Sequence, residues 1–387
     1  MAASSSSKAH VKHFKPYFTP VEVEKLSAKQ RGKLSVSREE KVRQQACGFI
    51  DAVGVRCGFP RRTIATAQTL YMRFHLFFPY KDFNYVEVAL STLYVSSKLH
   101  DTIKKPREII LASFPIRYPN LVRKGTVDIA TAEANGLEHE RKRVLACERL
   151  VLETMGFKFG VETGLRGAIK IGKKLGLGKD LCQSAWKVAV DCHRTQAPLS
   201  FPPHIIALGS IYTASLLLSE TTKLPSDDST VSGGVPSAAQ VVGLLGKSGP
   251  WETEYSASAG HIDDIAHHLI DLYTTILSSL PDSLPTAHTP SPVSPKEPNP
   301  SSSQTANTTA SSPTAFPLPL FWTTQTLTEL KIELRNRRPG APPTYLGWTA
   351  AGNHNGTENG NEGDEAVEGM GKNEGTIRFL WDDEEMA

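Results

Sequence analysis

Between Thr63 and Ile110 the chain carries two apolar runs of helical length, parted by Pro79 and the polar pair Lys81-Asp82. The first, Thr63 to Phe78, is apolar or small on nearly every face, and a helix without a polar face has to be surrounded by others. The second, Tyr85 to Leu99, sets Val86, Ala89, Leu90, Leu93 and Val95 at mixed three- and four-residue spacings and ends in Ser-Ser-Lys-Leu-His-Asp. One lysine, Lys98, therefore stands at the edge of an apolar helix. Pro106 opens a third segment, where its missing N–H costs nothing in a first helical turn. Two neighbouring helices that must be wrapped by others predict an all-α domain.

The flanking sequence supplies the wrapping. Thr19 before Pro20 reads as the N-cap of a short helix near Val21 to Leu26. Ser37-Arg38-Glu39-Glu40 reads as a capping box that starts a helix with Val42, Ala46, Phe49, Ile50 and Val53 on one face, stopped by Gly58 and Pro60. A further helix is expected from Pro106 to about Phe114, then an irregular loop over 115–136. Leu137 to Met155 follows as another helix, with Gly156 as its stop. Helical patterns return at Thr163 to Lys174, Lys179 to Thr195, Pro203 to Leu218 and His261 to Ser278, with a weak helix at Ala238 to Leu245 inside a Ser/Gly/Asp/Pro-rich insertion.

Chemistry of the chain's own is hard to place. No phosphate-binding glycine loop, kinase signature, HExxH or GxSxG motif is present. His139 between Glu138 and Glu140, and His267-His268 near Asp263-Asp264, suit solvated helix faces better than metal sites. Five cysteines without a CxxC pair read as reduced thiols. A net charge of +3 demands no nucleic acid, and Arg141-Lys142-Arg143 and Lys173-Lys174 are too small for a nucleic-acid footprint. The polar start of the chain and the lack of a run of about 18 apolar residues predict no signal peptide and no membrane span, hence a soluble intracellular protein. No catalytic, cofactor-binding or metal residue is expected.

The central stretch resembles a cyclin box, and its details are those of the transcriptional cyclins of types K and T. The likeness rests on Thr63-Ile64-Ala65-Thr66-Ala67, the Arg73-Phe74 pair, and Ser97-Lys98-Leu99 followed by Lys104-Lys105-Pro106. In the second half, Asp191, Arg194 and Thr195 with Phe201-Pro202-Pro203 resemble the second cyclin repeat. The resemblance implies two tandem five-helix cyclin-fold repeats with a disordered C-terminal extension. It divides the chain into 1–36 with a short helix, a kinase-binding box at 37–160, a second repeat at 161–280 with an insertion at 221–249, and an extension at 281–387. Cell-cycle cyclins carry a Met-Arg-Ala-Ile-Leu motif and a Trp that form a docking groove; Lys41-Val42-Arg43-Gln44-Gln45-Ala46 stands there instead, so that groove is not expected. Within the transcriptional group the layout is similar to the cyclin-type β subunit of the fungal kinase acting on the RNA polymerase II C-terminal domain.

The resemblance also implies a partner and a surface. A cyclin binds a cyclin-dependent kinase, so Lys98, Glu148, Leu152, Phe157 and Phe159 would meet the kinase: Lys98 and Glu148 through backbone groups, the other three as an apolar floor. The plain alternative is that Lys98 and Glu148 form an internal surface pair worth under about 1 kcal/mol and that the phenylalanines are core. A nuclear location, an indirect link to RNA polymerase II and room for a third subunit follow from the same likeness. A general transcription factor of the TFIIB type also uses two cyclin-like repeats; it predicts a CxxC zinc ribbon and a strongly basic second repeat, neither of which this sequence carries.

The C-terminal part reads as three stretches. Pro281 to Ala315 is rich in Ser, Thr and Pro, and 351–387 carries ten acidic residues against Lys372 and Arg378; such compositions cannot offset their ordering entropy. Between them Phe316 to Arg338 is an apolar island. Thr326 can cap a helix there, with Leu327, Leu330 and Leu334 on one face, either folding back on the second repeat or docking another subunit.

Overall fold

The computed structural model describes residues 15–122, 127–222, 235–279 and 322–337. The Ser/Pro-rich and acidic stretches at 281–315 and 351–387, and residues 223–234 of the 221–249 insertion, lie outside them. All regular structure among the described residues is helical. Residues up to Leu269 gather into one compact unit and Ile270–Pro339 into a second.

In the first unit the expected apolar run is α3, Arg61–Phe77, with fourteen of its side chains buried from Thr63 to Phe77. It is wrapped by α1 (Pro20–Arg31), α2 (Val36–Arg56), α4 (Tyr85–Leu99) and α7 (Leu137–Thr154). Between α4 and α7 come α5 (Pro106–Arg117) and α6 (Ile129–Ala134). The close approach of α2 and α3 needs Gly54, because a Cβ there would lie 2.7 Å from Ile64. A second group is built in the same way around α11 (Pro203–Thr222), with α8 (Gly164–Lys174), α9 (Lys179–Cys192) and α12 (Ala238–Leu245) against it. The short helices α10 (Ala197–Ser200) and α13 (Pro250–Tyr255) and the first half of α14 (Ala259–Ser278) complete it.

Most expected helices are found within one to three residues of their predicted ends, and the local signals explain both the agreement and the shifts. Thr19 caps α1 in a full capping box with Glu22, and Phe18, Val23 and Leu26 bury α1 against the core. Glu39 is buried between α1 and α2, accepting from Ser27 and from Arg31. The cap of α2 is Ser35, whose hydroxyl accepts from the Arg38 amide, and not Ser37, whose expected partner Glu40 is held by Arg43 and Gln44. The loop over 115–136 is partly helical. α5 runs through Pro115 to Arg117, Pro119–Leu121 makes a tight turn, and Asp128 caps α6 through the Thr131 amide.

In the second unit the apolar island contributes α15, Thr324–Asn336. Its cap is Thr323, with Thr326 as the third-residue partner, so the helix begins earlier than expected. Leu327, Leu330 and Leu334 are buried, and Lys331 pairs with Asp271 of α14. The leucine stripe thus folds back within this chain.

Candidate functional site

α4 and α7 run against each other, and their register brings the predicted polar residues together. The Ser91 hydroxyl donates to Val144 O (3.0 Å), and Arg143 pairs with Glu87 at 2.8 Å. Two turns further along α4 and one along α7, Lys98 meets Glu148: Nζ donates to Oε1 at 2.6 Å. Positions 87, 91 and 98, spaced four and seven residues apart on one face of α4, therefore meet 143, 144 and 148 of α7. Glu148 is mostly covered and Lys98 is 44% exposed, so the pair lies at the edge of the seam. Burial alone lowers the Lys98 pKa, but the hydrogen bond to Glu148 and the Tyr94 side chain outweigh it, and the net shift is upward.

The end of α7 is shaped by its stop. Gly156 and Phe157 both sit at positive φ, 57° and 55°, and the Phe157 amide closes back on Leu152 O at 3.2 Å. Glycine adopts that conformation freely; a phenylalanine there costs about 1 kcal/mol or more. The turn swings Phe157 and Phe159 outward, 38% and 56% exposed, while Leu152 stays half-buried against the core. The phenylalanines are therefore surface residues, which removes the alternative that they fill the interior. The result is an apolar rim at the end of α7, the helix that also carries Glu148 of the charged pair.

Two neighbours escaped the sequence reading. The Tyr94 ring lies under Lys98, 4.1 Å from Nζ, one turn back on α4; an aromatic four residues before a lysine is a signal that was available. Ile103, 69% exposed, projects from the link after α4. The Thr102 amide ties that link to Ser97 O (2.9 Å), and the Arg62 guanidinium holds His100 O (3.1 Å).

Arg73, quoted above with Phe74, is buried below α7. Its Nε donates to Thr154 O (2.6 Å) and its two Nη groups to Pro16 O (3.0 Å) and Lys15 O (2.7 Å), with the Phe18 and Phe77 rings at 5.0 and 5.8 Å. Burial lowers its pKa to about 10, so it stays charged at neutral pH. One side chain thus fixes both the approach to α1 and the end of α7. At the position of the cell-cycle docking groove, Phe49 packs edge-on against Tyr85 and Gln45 donates to the Tyr85 hydroxyl. Among the described residues no group of three metal-ligating side chains converges, and no helix is long and apolar enough to cross a membrane.

No family model matches the chain. Individual relatives do. It is 32% identical over 218 residues to the CTD kinase subunit beta of Schizosaccharomyces pombe, covering 56% of this chain and 62% of that one. The Saccharomyces cerevisiae protein of the same name is 35% identical over 173 residues, 44% of this chain and 50% of the relative. The chain is thus similar in sequence to cyclins of the transcriptional group. The rice cyclin-T1-2 is similar too, 31% identical over 228 residues, 57% of this chain and 35% of the relative. The chain spans less than two thirds of the length of each of these relatives. Its fold matches a chain of the yeast RNA Pol II CTD kinase CTDK-1 complex with a TM-score of 0.54 at 23% identity, over 72% of this chain and 81% of the other.

Proposed function

We propose that this chain is a transcriptional cyclin, the regulatory, non-catalytic subunit of a nuclear Ser/Thr kinase that phosphorylates the RNA polymerase II C-terminal domain, with room in the complex for a third subunit. The observation that carries the reading is the exposed pair Phe157 and Phe159, held outward by a strained turn beyond the Lys98–Glu148 bond. Exposed aromatics on a rigid helix end suit a partner, since a backbone in an unfavourable region persists where the surroundings over-determine it. The names of the relatives support the choice of kinase class.

The mechanism follows from the chemistry of phosphoryl transfer. A protein kinase is competent when the glutamate of its αC helix pairs with the lysine of its third strand. A rigid surface complementary to the inward αC position binds that state more tightly and shifts the population toward it. A shift from mostly inactive to mostly active takes a difference of about 5 kcal/mol, within reach of a large helical interface. In this reading Lys98 and Glu148 meet backbone groups of the kinase, and Leu152, Phe157 and Phe159 lie under αC. Affinity purification of the full chain, followed by identification of the bound kinase, tests the proposal. A co-purifying kinase that phosphorylates C-terminal-domain repeats, and is lost with Phe157→Ser/Phe159→Ser, supports it. Retention of the same kinase by that double variant overturns the surface, and purification without any kinase overturns the function.

A further inference from the structure

The two faces of α8 differ sharply. Leu165, Ala168 and Gly172 are buried, and a Cβ at Gly164 would lie 2.7 Å from Ile206 of α11, so the helix is fixed close against its neighbours. On the outside, Arg166, Lys170 and Lys173 are all exposed. Their four- and three-residue steps put them on one face with Ile169, itself 39% exposed. The helix carries no carboxylate of its own.

These cations are set apart by what they lack. Arg141 pairs with Glu138, Arg149 with Glu153, and Lys174, on the flank of α8, with Glu254 at 2.5 Å. Among the described residues Arg166, Lys170 and Lys173 pair with no carboxylate, although Glu162 stands one turn before Arg166. Three positive charges around an apolar side chain suit an acidic ligand with an apolar anchor.

The sequence itself supplies such a ligand. Residues 351–387 carry ten acidic residues against Lys372 and Arg378. Their large apolar residues gather at Ile377, Phe379, Leu380 and Trp381, directly before Asp382-Asp383-Glu384-Glu385. From Arg337 to Ile377 the chain spans up to about 130 Å when extended, more than twice the width of a compact domain of about 250 residues. Exposed ion pairs add little singly, and tethering compensates. At an effective concentration of about 1 mM, a site with a Kd of about 0.1 mM is about nine-tenths filled.

We propose that segment 377–385 of this chain docks on the outer face of α8, with Leu380 and Trp381 over Ile169 and the carboxylates of 382–385 against Arg166, Lys170 and Lys173. A tryptophan ring among cations adds cation–π attraction to the apolar contact. Neither Lys98 nor Glu148 lies on α8, so the proposal does not rest on the kinase reading.

The test is the indole N–H signal of Trp381 by NMR in the full chain with isotope-labelled tryptophan, assigned by its loss in Trp381→Phe. At low salt the signal should lie away from that of the free peptide 377–385 and should not move on dilution, as an intramolecular contact requires. Arg166→Glu/Lys170→Glu/Lys173→Glu should move it to the free position, and raising salt from about 50 to about 500 mM should move it the same way. Adding Asp382→Lys/Asp383→Lys/Glu384→Lys/Glu385→Lys to that background rebuilds the pairs with opposite sign and should return the signal. Should the α8 variant not fold, Asp382→Asn/Asp383→Asn/Glu384→Gln/Glu385→Gln leaves every described residue intact and should also release Trp381. A displaced signal that neither α8 reversal nor tail neutralisation moves overturns the proposal. A displacement that vanishes on about tenfold dilution makes a second copy the occupant and overturns it too. So does a free signal in the unaltered chain, and uptake of added poly-glutamate by α8 would then assign the face to a separate acidic partner.

Discussion

α3 and α11 are both buried on all sides, yet their polar residues are used in opposite ways. On α3 the buried polar groups reach outward: Arg73 to Lys15, Pro16 and Thr154, Gln68 to Cys47 O, Thr66 to His100, and Thr69 to His193. On α11, Ser210, Thr213 and Ser215 turn back onto carbonyls four residues earlier in the same helix. Such back-bonding satisfies a hydroxyl locally and positions nothing else. α3 therefore locates the segments that frame the α4–α7 face, whereas the α11 hydroxyls serve their own helix. Equal burial does not mean equal specification.

The contrast can be broken most forcefully at Arg73. Arg73→Met should cost about 3–5 kcal/mol in denaturant unfolding, because three buried carbonyls lose a charged donor together. Thr213→Val on α11 should change stability by no more than about 0.5 kcal/mol, since its hydroxyl serves only its own helix. Equal losses would erase the distinction between the two helices.

Acid should act on the α3 side next. His75 on α3 and His193 against Thr69 are fully buried, and burial lowers both pKa values to about 4 from the usual 6.5. A base depressed in the folded state is neutral there while the unfolded chain takes up its proton. Stability is thus complete above about pH 6.5 and declines as pH falls toward 4, with up to about two protons taken up on unfolding. Urea titrations between these limits should show that slope, and His193→Gln should remove about one proton from it.

A smaller effect sharpens the account at the rim. Phe157→Gly relieves the positive φ and should leave stability unchanged or raise it by up to about 1 kcal/mol, while kinase activation falls. A loss of stability there would mean that the ring supports the fold.

How far the sequence was legible varied with the length of its signals. α4 and α12 begin and end where expected, because Asn84 and Ser237 cap them cleanly and the apolar pattern is uninterrupted. α6 and α10 escaped because six and four residues are too few to carry a periodicity. The cap at Ser35 was displaced in the reading by a nearer Ser-x-x-Glu match, whose Glu40 is in fact held by Arg43 and Gln44. Lys98 and Glu148 were legible through their resemblance to known cyclins. The outward turn of Phe157 was not, since a positive φ at a non-glycine residue leaves no mark in a periodicity. Nor was the contact of Thr69 with His193, because the two are 124 residues apart and meet only in the fold.

The central claim is that Lys98 and Glu148 serve a partner and not only each other, and the charge-swapped double variant Lys98→Glu/Glu148→Lys tests it most directly. Each single reversal should shift stability by under about 1 kcal/mol, as for other exposed pairs, and weaken kinase binding by about 2–4 kcal/mol. The double swap rebuilds the internal pair with opposite polarity. Reconstituted with the kinase, it should regain wild-type stability yet still fail to activate, because the partner's backbone donors and acceptors face the wrong charges. Full activation by the double swap would show that the pair only closes the α4–α7 seam, and would contradict the account.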